Sequence, residues 1–175
     1  MNTENEVEIL SSSTLHSGVV FDVVREHVRL PSGLEQRMDI VVHGGAVAVA
    51  PVFEDGQLLL VRQYRHAVRE WVIEIPAGRL EAGEDPLVAA QRELEEETGY
   101  GAATWTERIA TWPAIGFCSE CITIFEARGL ELVAHRRAPD PDEEIEVLRM
   151  RPEELLAGAT RDAKTLLAAA FLLNP

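Results

Sequence analysis

The N-terminal third of the chain alternates between apolar and polar positions. "VVFDVVREHVRL" (19–30) is β-branched, and it turns at "PSG" into "EQRMDIVVH" (35–43), which predicts two antiparallel strands. "GGAVAVAPVF" and "QLLLVRQYR" flank "EDG" and predict a β-hairpin. "WVIEIPAG" reads as a short strand stopped by Pro76 and Gly78. From Asp85 the period changes: Leu87, Ala90 and Leu94 fall at i, i+3 and i+7, one apolar stripe of a helix that Gly99 is placed to end. Strands follow at "TERIATW", "CITIFEARGL" and "IEVLRM", then a short helix at "RPEELLAGA" and a closing helix at "RDAKTLLAAAFLLN". Residues 1–16 are polar and Ser-rich and read as a loose end, and "RRAPDPDEE" reads as an exposed loop. Strands, one central helix, more strands and terminal helices imply an α/β layered fold with a mixed sheet.

The 175 residues suit one compact domain, with no repeat or low-complexity linker; 46% hydrophobic and 26% charged residues are ordinary for a globular chain. A formal net charge of −14 excludes a protein that grips nucleic-acid backbone through a basic face. It also means that any phosphate chemistry here needs metal cations as intermediaries. The start "MNTENEVEIL" is acidic where a signal peptide is basic, and "LLAAAFLL" is too short to span a bilayer. The expectation is a cytoplasmic protein with no membrane partner. Cys118 and Cys121 form a C-x-x-C, but it runs into a strand pattern and has no second ligand pair, so they read as small apolar residues. Trp71, Trp105 and Trp112 read as core or interface packing rather than base-stacking platforms.

Candidate chemistry lies in "GRLEAGEDPLVAAQRELEEETGY", residues 78–100. Glu93, Glu96 and Glu97 sit at i, i+3 and i+4 and project from one helix face, away from the apolar stripe. Taken alone, this is a solvated acidic face with an Arg92–Glu96 pair. The preceding Pro- and Gly-bearing loop changes the reading, because its backbone carbonyls can turn toward the carboxylates. Hard cations such as Mg²⁺ take oxygen ligands, and closely spaced ions can neutralise a diphosphate and activate a water.

The same stretch closely resembles the Nudix box, G-x5-E-x7-R-E-U-x-E-E-x-G-U. Gly78, Glu84, Arg92, Glu93, Leu94, Glu96, Glu97 and Gly99 fall at the required spacing, and Tyr100 stands where an aliphatic residue is usual. Beyond the box, "LLLVRQYRHAVREWVIEIPAG", "GFCSE" and "RDAKT" resemble the ADP-ribose pyrophosphatase group of that family. The resemblance implies a Nudix-type α/β/α sandwich with a mixed central sheet. Residues 1–43 would be an N-terminal tail and antiparallel strands that dimerise, and residues 44–175 the hydrolase domain. It implies a Mg²⁺ or Mn²⁺ cofactor held by Glu93, Glu97, Glu96 and the carbonyl of Ala77, with Arg92 orienting a glutamate and Glu84 bracing Arg92. Gly78 and Gly99 would be backbone requirements. Arg65, Arg37 and Glu120 would contact substrate, and Glu143, with Glu144 its nearest competitor, would be the catalytic base. The implied substrate is a nucleoside diphosphate sugar, ADP-ribose first. Ile115 stands where the group carries a proline that marks ADP-ribose preference, which keeps GDP-mannose and other sugars in view. A Nudix module that binds a nucleotide without cleaving it is the remaining alternative.

Overall fold

The continuous apolar run Ala46–Val52 organises the sheet, because a strand with no polar side must be covered on both faces. The computed structural model describes residues 6–134 and 144–174, which fall into two units: Met1–Gly45 with Trp112–Cys121, and Ala46–Thr111 with Ile122–Pro175.

In the first unit, β1 (Glu8–Ser17), β2 (Phe21–Arg29) and β3 (Glu35–His43) form an antiparallel sheet in the order β1-β2-β3. β1 corrects the expectation of a loose end. Its Ser- and Thr-rich sequence lacks an apolar alternation, and it is recruited as an edge by the backbone of β2, with two register shifts along the pairing. Directly opposed residues of β2 and β3 make ion pairs: Arg25 with Asp39 at 2.6 Å and Arg29 with Glu35 at 2.8 Å. Arg29 also reaches Glu8 of β1 at 2.6 Å, which helps to tie the polar edge down. Gly33 carries the β2–β3 turn at φ 84°, a conformation that costs glycine nothing sterically.

In the second unit, seven strands form one mixed sheet. β4 (Ala46–Val52) lies between β5 (Leu58–Arg65) and β9 (Ile122–Leu132); β10 (Ile145–Met150) extends the β5 side and β8 (Tyr100–Thr111) the β9 side. β6 (Glu70–Glu74) pairs with β5, and β7 (Ala77–Arg79) with β4. β4 and β9 run parallel; the other pairs are antiparallel. The expected β4–β5 hairpin closes through a Gly56 turn but has one register pair, Val52↔Leu58. Beyond it β4 pairs with β9 and β7, while β5 pairs with β6 and β10, because a central strand needs its own neighbour on each side. β8 begins directly after Gly99, six residues earlier than the alternation at "TERIATW" suggests. "YGAAT" carries no strand pattern of its own and is held by pairing with the far end of β9.

Alternate residues of β4 serve opposite layers, as the period of two requires. Ala46, Ala48, Ala50 and Val52 pack with Leu155, Ala168 and Ala169 of the C-terminal helices. Val47 and Val49 pack with Ala89, Ala90 and Leu94 of α1 (Pro86–Thr98). Helix, sheet and helix make the expected α/β/α sandwich. The C-terminal layer is α2 (Pro152–Glu154), continued by a π turn over Leu155–Ala159, and α3 (Ala163–Leu173). Of the tryptophans, Trp105 packs beside the α1 cluster, whereas Trp71 and Trp112 are exposed and take no part in a core. The two cysteines are free thiols.

Candidate active site

α1 starts where its sequence says it should. The Asp85 side chain accepts from the N–H groups of Leu87 (2.9 Å) and Val88 (3.3 Å), and Pro86 follows where a missing N–H costs nothing. It ends at Gly99, in the left-handed conformation at φ 76°, whose N–H donates to the Glu95 carbonyl. Leu94 is fully buried and fixes the helix rotation against the sheet.

That rotation places the acids differently from the solvated face a helical wheel suggests. Glu97 is 2% exposed, on the same side as Leu94, and accepts from the Ala77 N–H at 3.1 Å. Glu93 and Glu96 are half-buried. The Glu93 carboxylate lies directly over Gly78, in the space that any Cβ at that position would fill. Gly78 is therefore required by close approach and not by a left-handed φ, since its backbone is not in that region.

Arg92 is the hub. Its Nε and Nη2 donate to the two oxygens of Glu84, both at 3.0 Å; Nη1 donates to Glu93 at 2.6 Å and to Glu96 at 3.0 Å. Nη2 also reaches the Arg79 carbonyl at 3.2 Å. The Glu84 carboxylate accepts from the Glu81 N–H at 3.0 Å, which ties the loop to the same guanidinium. The Arg92 hydrogen bonds, then the Glu81 N–H, hold Glu84 below the usual carboxylate range. Glu84, followed by Glu93 and Glu96, raises Arg92 despite partial burial, so it stays charged at every accessible pH.

The Arg92 guanidinium thus bonds Glu84, Glu93 and Glu96, with buried Glu97 on the next turn. Every side-chain donor here is a carboxylate oxygen, the class that suits a hard divalent ion. Among the described residues, no group of three His, Cys, Asp or Glu converges as a ready-made cage. The set fits an ion that takes one or two carboxylates and completes its shell from water and substrate phosphate, as Mg²⁺ commonly does.

A second ionic cluster was not foreseen. Arg65, at the end of β5, donates through Nε (2.7 Å) and Nη2 (3.0 Å) to both oxygens of Glu74, which is 3% exposed. Lys164 of α3 also bonds Glu74, and it pairs with Asp162 at 3.0 Å. Burial pushes the Glu74 carboxyl up, but Arg65 and Lys164 outweigh it and hold it below its ordinary value. Glu74 in turn raises Arg65, with the charges of Glu97 and Asp162 adding to it, so Arg65 feels the acidic helix as well. Glu74 and Lys164 lie in stretches that stand out in the sequence, "EIPAG" and "RDAKT", but no pairing between segments 90 residues apart can be read from local pattern.

Arg37 and Glu120 belong to the first unit. Arg37 is exposed on β3, opposite His27. Glu120 follows a turn zipped onto β3: the Val41 N–H donates to the Phe117 carbonyl at 2.8 Å, and the Ser119 N–H to the Val41 carbonyl at 2.9 Å. Its carboxylate is 3.8 Å from His43 Nδ1, an atom that already accepts from the Gly45 N–H at 3.1 Å. Glu143 lies outside the described residues, and Glu144 at their margin is exposed.

Comparison with known proteins shows the family. The model of the NUDIX domain matches residues 42–170. The chain belongs to the Nudix family. Among curated relatives, an ADP-ribose pyrophosphatase of Bacillus subtilis is 39% identical over 171 residues, covering 95% of this chain and 92% of that one. A methanol dehydrogenase activator of Bacillus methanolicus is 36% identical over 173 residues, covering 95% and 92%. A solved structure titled as an ADP compounds hydrolase superposes with a TM-score of 0.83 over 99% of this chain and 95% of that one; at 23% identity it supports the Nudix fold alone.

Proposed function

We propose that this Nudix chain hydrolyses the diphosphate of a nucleoside diphosphate sugar, ADP-ribose first, to AMP and ribose 5-phosphate. The observation that carries the reading is the intact box on α1, with Glu93 lodged over Gly78, Glu97 buried beside Ala77, and the Arg92 guanidinium bonded to Glu84, Glu93 and Glu96. The name of the Bacillus subtilis relative favours ADP-ribose over GDP-mannose and other sugars.

Glu93 and Glu97 would hold a divalent cation, Mg²⁺ or Mn²⁺, with Glu96 and the Ala77 carbonyl sharing it. When bound, that cation supplies neutralisation of the diphosphate and activation of the attacking water. Arg92 holds the rotamers of Glu93 and Glu96, and Glu84 holds Arg92. Arg65 meets the substrate's diphosphate or adenosine part; Arg37 and Glu120 are the further substrate contacts. Glu143 takes the proton from the attacking water, a task for which a carboxylate of ordinary basicity suffices once a metal is present. The protein works in the cytoplasm as a homodimer joined through its N-terminal strands, a reading supported by the exposed Ile9, Leu15 and Phe21 of β1 and β2.

The test is a panel of nucleoside diphosphate sugars incubated with and without Mg²⁺, with monophosphate as the measured product. A metal-dependent monophosphate is expected, most rapidly from ADP-ribose. The relative named as a dehydrogenase activator favours a second reading, a role directed at another protein. Tight nucleotide binding with no product from any sugar would select that reading.

A further inference from the structure

The "TRDAKT" segment, residues 160–165, has no part in the chemistry above, yet it grips three consecutive residues just before the Ala77–Gly78 loop. Thr160 Oγ1 donates to the Ile73 carbonyl at 2.6 Å, Lys164 pairs with the Glu74 carboxylate, and Thr165 Oγ1 accepts from the Ile75 N–H at 2.8 Å. Thr165 is fully buried and also donates to Asp162, the residue that caps α3. A helix that only covered the sheet would need apolar contacts, which α3 already has through Ala168 and Ala169. Instead its first turn spends its polar groups on one strand end.

What that strand end does is hold Arg65. Both oxygens of Glu74 are engaged by Nε and Nη2, so the guanidinium plane is fixed along one edge. Among the described residues nothing accepts from Nη1, and the side chain remains 42% exposed. A carboxylate held by Arg65 alone could rotate with it. Lys164 and its partner Asp162 remove that freedom, and the arginine is presented with one donor edge pinned and, among the described residues, the other open. An anion that meets such a group loses less orientational freedom on binding than one that must organise it.

We propose that Glu74 and Lys164 are positioning residues that fix Arg65 for the substrate's diphosphate, with the start of α3 serving as their anchor. The proposal rests on the functional reading for the identity of the ligand, but not on turnover. Its test is calorimetric binding of ADP, with steady-state kinetics on ADP-ribose in parallel, for Glu74→Gln, Lys164→Met, Lys164→Arg, Arg65→Ala and the double variant Arg65→Ala/Lys164→Met.

Lys164→Met is expected to weaken ADP binding and raise KM on the order of tenfold, the size of a lost hydrogen bond to a charged group, with kcat changed much less. Glu74→Gln acts in the same direction, and Lys164→Arg recovers part of the loss. In the Arg65→Ala background, Lys164→Met adds nothing. Unchanged ADP affinity in a folded Lys164→Met protein overturns the proposal. So does a loss in the double variant equal to the sum of the single losses, since the lysine would then act by some other route. Glu74→Gln buries an altered group and is susceptible to misfolding, but the lysine cycle decides the matter without it. A wild-type protein that binds ADP and cleaves no sugar would refute the hydrolase reading while leaving this comparison intact.

Discussion

The ionic clusters around Glu74 and around Arg92 lie within one unit of this chain, and they are built differently. Around Glu74, charge is matched: Arg65 and Lys164 face Glu74 and Asp162. Around Arg92, Glu84, Glu93 and Glu96 converge on one guanidinium and Glu97 is buried close by. The matched cluster is complete and serves to hold groups in place. The Arg92 cluster gathers like-charged carboxylates in a half-buried setting, where repulsion is weakly screened and a bound divalent cation would relieve it. Like-charged glutamates at helical spacing cost stability in a bare helix, so their persistence here points to function rather than folding.

The contrast can be broken from either side. The largest effect is expected at Glu97: Glu97→Gln keeps the shape but removes the charge, and turnover of ADP-ribose should fall by about 10²-fold or more while the circular dichroism spectrum is retained. Next is Gly78→Ala, which pushes the Glu93 carboxylate out of its seat. It should lower activity by roughly 10- to 100-fold and weaken Mn²⁺ binding, with only a small change in Tm, because the colliding atoms are the end of a flexible side chain. Leu94→Ala separates packing from charge. It should cost about 2–5 kcal/mol in denaturant unfolding, as for other fully buried leucines, and release the helix rotation that brings the acids together.

Charge itself is probed by Mg²⁺ and by pH. Added Mg²⁺ should raise the Tm of the wild type and not that of Glu97→Gln, since an ion that binds only the folded state stabilises it. In acid the matched cluster should respond. Glu74 is held below its ordinary carboxylate value in the folded state, so its contribution is present at neutral pH, begins to fade as pH falls below about 4.5, and is lost as pH drops through the lowered folded value. Urea unfolding of Glu74→Gln should show a shallower acid limb than the wild type; parallel limbs would contradict the shift.

How much of this could be read in advance differs between the same two clusters. The Arg92 cluster is local: Gly78 to Gly99 is one loop and one helix, and spacing alone put its glutamates on adjacent turns. What spacing missed was the burial of Glu97, because helix rotation is set by Leu94, Ala90 and Ala89 against β4 and β9 and not by the helix itself. The matched cluster joins Glu74 to Lys164 across the whole second half of the chain, and no periodicity encodes such a meeting. The fold follows the same division. The apolar "AVAVAPV" is legible as a strand, but its parallel partner β9 could not be inferred from a hairpin signal at "EDG". β1 was missed because its Ser and Thr residues carry no alternation and it is held by backbone pairing to β2.

The most direct measurement is a Mn²⁺ titration followed by electron paramagnetic resonance on wild type, Glu93→Gln and Glu97→Gln in the absence of substrate. The wild type should bind the ion and each glutamine variant should bind it at least about tenfold more weakly. Equal Mn²⁺ affinity in all three proteins would contradict the claim that this helix face holds the metal.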